Sequence, residues 1–399
     1  MKRHLIGVGG VGMSALATAL VRLGDEVTGA DRNLDTPNIR VLESIGVRCF
    51  PDDGSGVDAT TDEVIVSTAI EETNAGLRRA AELGIPVTHR AKALARTLEG
   101  FRLVAVVGTC GKSTVTAMLG HILAECGFDP MAVNGANVPG WEGAVRFGRG
   151  AYAVAEVDES DKSLVAFRPY AAVVTNASAD HYSKAEMDEV FDAFVKDLPG
   201  PLVDGRVATG EADVTLPGRH NRNNAWLALR MACALGCDEA AARDALMTFR
   251  GVERRLQRHG TRVYDDYAHN PEKLRAMWTT LAEAYPGGIC VVWRPHGYAP
   301  LRKMADALAA MFEEVIRPQD RLLLLPVYDA GGTTDRSVNS EILSDRLGSK
   351  AVRVSDPDAA YAWMEAHRGE YAAFVTAGAR DPALPRLAAR LAALEDGPC

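Results

Sequence analysis

The residues best equipped for chemistry are Gly108-Thr109-Cys110-Gly111-Lys112-Ser113-Thr114. A β-branched apolar run, Val104 to Val107, leads into this glycine-bounded turn, and the helical spacing of Val115, Met118, Leu119, Ile122 and Leu123 follows it. Strand, phosphate loop and helix are implied. Backbone N–H groups around Gly111, the positive end of the helix and the Lys112 ammonium would hold triphosphate oxygens, and the Ser113 or Thr114 hydroxyl would reach a magnesium ion. ATP is the natural ligand for such a loop. The form is the compressed Gly-x-x-Gly-Lys-Ser, because Val106 stands where the longer pattern has its first glycine.

Three further clusters carry chemistry. Tyr152-Ala153-Val154-Ala155-Glu156 reads as a strand running out into Asp158, Glu159 and Asp161. Carboxylates at such a strand end, beside a phosphate loop, suit a metal ion held directly or through water, with Glu156 the first choice and Glu159 the second. A second strand-like run, Ala171 to Asn176, leads to His181, which is either a structural hydrogen-bonding residue or a second metal ligand. Asn221 and Asn224, three apart at the start of a helical stretch, share a face that could meet a purine edge; alternatively they cap the helix.

The elements positioning these groups alternate strand and helix throughout. Residues 1 to 100 form one doubly wound α/β unit, opening with Gly7-Val8-Gly9-Gly10-Val11-Gly12-Met13 and followed after the next strand by Asp31. That spacing fits a dinucleotide such as NAD, but the same helix N-terminus holds any pyrophosphate, including that of a UDP-sugar. Residues 101–252 form a second α/β unit around the phosphate loop. Residues 253–399 form a third, in which Arg254-Arg255, Asp265-Asp266-Tyr267-Ala268-His269-Asn270 and Arg294-Pro295-His296 lie near strand ends, where open parallel sheets place ligands.

The chain as a whole narrows the partners. It has 399 residues and a formal net charge of -9, which argues against a general nucleic-acid surface. No apolar run approaches the roughly 18 residues of a membrane span, and Met1-Lys2-Arg3-His4-Leu5 enters a strand directly; a cytoplasmic protein, monomer or homodimer, is expected. The seven cysteines form no Cys-x-x-Cys pair, so reduced thiols are expected, with Cys110 the one whose oxidation would reach the phosphate loop.

Taken in order, G-V-G-G-V-G-M, G-T-C-G-K-S-T, E-V-D-E-S-D, T-N-A-S-A-D-H, L-P-G-R-H-N, D-D-Y-A-H-N-P and R-P-H-G-Y closely resemble the Mur ligase family over nearly the whole chain. Within it, the match is nearest the branch that joins L-alanine to UDP-N-acetylmuramate. The resemblance implies a three-domain α/β fold: a Rossmann-like N-terminal domain for a UDP-sugar, a central P-loop ATPase and a C-terminal Rossmann-like domain for the incoming amino acid. It implies an ATP- and magnesium-dependent ligase of peptidoglycan precursor synthesis, in which a carboxylate becomes an acyl phosphate and an amine then displaces phosphate. The alternatives are the same chemistry on another carboxylate and amine in a specialised pathway, or a non-catalytic nucleotide-binding regulator.

Carried over position by position, the resemblance gives Lys112 to the phosphates, Ser113 and Glu156 to one magnesium ion, and His181 to a second. Asn221 and Asn224 would contact adenine, Asp265 and His269 would complete the site, and Arg254 or Arg255 would touch phosphate. Gly9, Gly10, Val11, Gly12 and Met13 would cradle the UDP pyrophosphate, with Asp31 and Ser67 reaching ribose or uracil. Departures are local. Cys110 replaces a usual His and Ser113 a usual Thr, and the stretch between Leu198 and Leu216 is short. In His296-Gly297-Tyr298-Ala299-Pro300-Leu301, Gly297 and Pro300 stand where the alanine branch has arginines near the amino-acid carboxylate. Arg294 or Arg302 is the expected substitute, and the acceptor is left open.

Overall fold

The computed structural model describes residues 1–158, 163–177, 184–329 and 335–395. Its described residues form three sheets. The first is wholly parallel, in the order β3-β2-β1-β4-β5, from β1 (Lys2–Ile6), β2 (Glu26–Asp31), β3 (Arg48–Pro51), β4 (Glu63–Val66) and β5 (Val87–His89). The chain runs outward from β1 in one direction and returns to its other side with β4. The crevice at the carboxyl ends of β1 and β4 is therefore where this topology receives a ligand.

The second sheet runs β11-β10-β6-β9-β7-β8, from β6 (Arg102–Val107), β7 (Met131–Val133), β8 (Val145–Arg146), β9 (Tyr152–Glu156), β10 (Ala171–Val174) and β11 (Leu202–Asp204). Leu103 to Val107 are all buried, which is why β6 reads as an unbroken apolar run; a central parallel strand is covered on both faces. Strand β6 lies between β10 and β9, with Val107 level with Val174 and Val106 level with Glu156. The two neighbours thus deliver the residues after Val174 and the Glu156 carboxylate to either side of the Gly108–Gly111 turn. The short stretch after Leu198 supplies only β11 before the Arg219–Ala234 helix.

These two sheets belong to one compact unit, residues 1–215 and 220–252, and share a hydrophobic cluster in which Leu16, Leu20 and Leu94 pack with Leu103, Met131 and Phe191. Three helices elsewhere start alike, with a polar cap followed by proline: Thr36-Pro37, Asn270-Pro271 and Asp356-Pro357. In each, the side chain accepts a hydrogen bond from a first-turn N–H, and proline supplies a helical φ where no N–H is needed.

The other unit, residues 216–219 and 253–399, holds the third sheet, β12-β13-β17-β14-β15-β16. Its strands are β12 (Gln257–His259), β13 (Val263–Asp266), β14 (Ile289–Trp293), β15 (Arg321–Leu324), β16 (Ala351–Arg353) and β17 (Ala373–Ala377). Only β12 is antiparallel. Because β17 inserts between β13 and β14, the turns after these three strands sit side by side. They contain His269, His296 and Arg380.

Candidate active site

The first glycine turn opens onto a cleft of about 480 Å³ lined by Gly10, Val11, Gly12 and Met13 and by Asp31, Ser67 and Arg90. From the second sheet, Asn134, Gly135, Glu156 and Asp158 line the same cleft. Gly7 turns the chain at φ +77°, and the Val11–Arg22 helix begins without a side-chain cap, leaving its first N–H groups without intrahelical acceptors. Asp31 accepts from the Gly9 N–H (2.9 Å) and the Asn33 N–H (2.9 Å), so its carboxylate fixes the turn while facing the cleft. The Arg90 guanidinium packs over Gly12, where a Cβ would stand 3.1 Å from its Nη1, and it makes no ion pair among the described residues. Sequence reading passed over Arg90 because nothing in its local pattern separates it from an ordinary first-turn helix residue.

The second turn is a preformed cradle. Gly108 (φ +128°) and Gly111 (φ +86°) both adopt backbone conformations that side chains rarely take. A Cβ on Gly108 would collide with Thr175 and stand 2.9 Å from the Asn176 carbonyl oxygen; one on Gly111 would stand 2.6 Å from Asn224 Oδ1. The Lys112–Glu125 helix starts at once, with Ser113 and Thr114 buried in its first turn. The Lys112 ammonium donates to the Gly108 carbonyl (2.6 Å), folding back across the loop.

The turn after β10 braces this cradle, a role that sequence reading missed. Asn176 Oδ1 accepts from the Thr109 hydroxyl (2.6 Å) and the Cys110 N–H (3.0 Å), while its Nδ2 donates to the Cys110 carbonyl (2.9 Å). The Thr175 hydroxyl donates to that same carbonyl (2.6 Å). Cys110 therefore contributes its backbone to the scaffold. On the other side, Glu156 accepts from the Gly135 N–H (2.8 Å), and a Cβ at Gly135 would stand 2.6 Å from the Glu156 carboxyl carbon. Ser113 and Glu156 are hard oxygen donors of the type magnesium takes; His181 and Glu159 lie outside the described residues. Asn221 and Asn224 are buried in the Arg219–Ala234 helix, beyond its cap position, and Asn224 reaches beneath Gly111.

In the C-terminal unit, the fully buried Asp265 accepts from Arg254 Nε (2.8 Å) and the Thr376 hydroxyl (2.7 Å). Arg254, at φ +58°, also donates to the Gly378 carbonyl (2.7 Å) and lies over the Tyr267 ring, as does Arg255. Asp265 is thus an anchor for Arg254. Its neighbour Asp266 accepts from the Leu256 and Ala268 N–H groups, and burial pushes its carboxyl up to about 6. His269 Nδ1 lies 3.0 Å from the Tyr267 carbonyl oxygen. Of the arginines expected to serve the amino-acid pocket, Arg294 pairs with Asp381 (2.8 Å) and donates to the Pro326 carbonyl, and Arg302 pairs with Asp335 (2.7 Å).

A family model described as "Mur ligase family, catalytic domain" matches residues 2–102, and "Mur ligase, glutamate ligase domain" matches residues 252–380. The UDP-N-acetylmuramate--L-alanine ligase of Arthrobacter sp. (strain FB24) is 35% identical over 414 aligned residues, covering 89% of this chain and 87% of the relative. The chain belongs to the Mur ligase family. The corresponding ligase of Gloeobacter violaceus is 32% identical, over 97% of this Mur ligase and 95% of the relative. Among solved structures, the UDP-N-acetylmuramate-alanine ligase of Thermotoga maritima superposes with a TM-score of 0.81 over 99% of both chains; at 24% identity that likeness speaks for the fold. In this Mur ligase the first two sheets each carry one of the glycine turns. Among the described residues, no group of three His, Cys, Asp or Glu side chains could hold a metal ion, and no helix is long and apolar enough to cross a membrane.

Proposed function

We propose that this Mur ligase couples ATP hydrolysis to amide formation between the carboxylate of UDP-N-acetylmuramate and the amine of an amino acid, L-alanine or a close relative, in the cytoplasm. The observation that carries this reading is the cleft that both the first glycine turn and the Glu156 end of β9 line. It suits a sugar nucleotide whose pyrophosphate lies on the Val11–Arg22 helix N-terminus and the Arg90 guanidinium, with its acid end toward Glu156 and Asp158. The relatives favour this reading over a different carboxylate or a non-catalytic regulator.

Two anions must meet for the reaction to begin, so positive charge has to be supplied where they approach. Lys112 and the first-turn N–H groups after Gly111 are assigned to the β- and γ-phosphates of ATP, a role in which the lysine would exchange the Gly108 carbonyl for phosphate oxygen. Ser113 and Glu156 are assigned to magnesium, which when bound neutralises charge on the transferring phosphoryl group. A substrate carboxylate oxygen then attacks the γ-phosphorus and ADP leaves. The neutral amine attacks the acyl carbon, inorganic phosphate departs with the former carboxylate oxygen, and the amine loses a proton. The amino acid is assigned to the C-terminal unit.

The test is phosphate release from ATP and magnesium with UDP-N-acetylmuramate across a panel of amino acids and short peptides, with mass detection of the conjugate. A new amide with one preferred acceptor is the expected result. Bound ATP with no conjugate across the panel would overturn it.

A further inference from the structure

In the C-terminal unit, the turn after β17 carries a cation in an uncommon backbone conformation. Arg380 sits at φ +60°, a left-handed conformation costly for any residue with a Cβ. It is exposed and makes no ion pair or hydrogen bond among the described residues. Its surroundings are rigid. The Gly378 N–H donates to the Asp266 carbonyl (3.1 Å), and the next residue, Asp381, is buried, pairs with Arg294 (2.8 Å) and accepts from the Ala383 N–H (2.9 Å). Arg380 is therefore an exposed guanidinium carried on a turn whose backbone is pinned.

That turn lies against the one after β14, because the Arg294 N–H donates to the Ala377 carbonyl (3.0 Å). The β14 turn carries His296, whose Nδ1 is buried without a hydrogen-bond partner, and Gly297, which opens the Tyr298–Val315 helix with no side-chain cap and no acid in its first turn. An orphan imidazole nitrogen, an uncapped helix N-terminus and an unpaired guanidinium thus come together at the ends of adjacent parallel strands. This is the chemistry that holds a small carboxylate. The Arg380 charge is felt at His296, where burial first and that charge second hold the imidazole below its ordinary value and hence neutral.

We propose that Arg380 binds the carboxylate of the incoming amino acid, beside His296 and the N-terminus of the Tyr298–Val315 helix. It would supply the guanidinium missing from Gly297 and Pro300, with Arg294 serving as a strut through Asp381. The assignment rests on the amide-ligase reading above, and on this geometry for the residue.

The experiment compares wild type with Arg380→Gly and Arg380→Lys, using amino acids and their carboxamides as acceptors. Glycine suits a positive φ, so Arg380→Gly should melt no lower than wild type. Its KM for the amino acid should rise about 10- to 150-fold, the range of one lost charge-assisted contact, and its preference for acid over carboxamide should collapse. The KM for ATP and for the UDP-sugar should stay within about twofold on the same grounds of locality, and Arg380→Lys should fall between, keeping charge without the planar fork. Wild-type turnover with an unchanged amino-acid KM in Arg380→Gly overturns this assignment alone. A parallel rise in KM for ATP also overturns it, assigning the cation to phosphate. A wild type that forms no amide with any acceptor overturns the functional reading and this assignment together.

Discussion

Asn176 offers the sharpest handle on the phosphate loop, because it acts on the loop without being part of it. Asn176→Ala removes three hydrogen bonds, to the Thr109 hydroxyl, the Cys110 N–H and the Cys110 carbonyl. At about 1 kcal/mol each, the loss is about 3 kcal/mol, or roughly 150-fold in the population of the preformed cradle. Isothermal titration of the magnesium-free protein with ADP or ATP should show that loss as weaker affinity, with UDP-sugar affinity unchanged. Thr175→Val removes a single bond to the Cys110 carbonyl and should weaken nucleotide binding about fivefold. It also guards against an unfolded Asn176→Ala, since it keeps the strand end filled. Nucleotide affinity within about threefold of wild type in a well-folded Asn176→Ala would refute the idea that these side chains hold the loop open for phosphate.

Other outcomes follow from the same geometry. Asp31→Ala frees the Gly9 and Asn33 N–H groups and should weaken UDP-sugar binding by about 2 kcal/mol, roughly 30-fold, while sparing ATP; equal affinity would move the sugar contact elsewhere. His4 is fully buried and paired with the Thr28 hydroxyl (2.8 Å), and burial pushes its imidazole down to about 4 from an ordinary 6.5. A depressed histidine adds stability that is present above pH 6.5 and lost as pH falls through 4. Acid should therefore cost the first unit about 3 kcal/mol across that window. Denaturant midpoints at several pH values should flatten there in His4→Asn, and a wild type indifferent to pH from 6.5 to 4 would contradict the burial argument.

The glycine turns were legible in the sequence because their tight geometry takes backbone conformations that side chains rarely adopt, at Gly108 and Gly111 above all. Strand ends were legible too: Glu156 arrives where its apolar run stops, level with Val106. What stayed hidden depends on partners far apart in the chain. Asn176 grips Cys110 from 66 residues away, and Arg294 reaches Asp381 across 87. Spacing along a strand cannot announce such pairs. The same limit applies to Asp265, whose type and place suggest a ligand-facing carboxylate, whereas its buried oxygens hold Arg254 and Thr376. The open choice at Asn221 and Asn224 narrows for a simpler reason: the helix begins at Arg219, so neither is the cap.

The most direct test of the central claim follows the substrate's own oxygen. UDP-N-acetylmuramate labelled with oxygen-18 in its carboxylate is incubated with ATP, magnesium and the preferred amino acid, and the products are weighed by mass spectrometry. Carboxylate activation by phosphoryl transfer predicts ADP, an amide that has lost one label, and inorganic phosphate that has gained it. Label in AMP, or an amide formed beside unlabelled phosphate with the displaced oxygen released to water, would contradict the account.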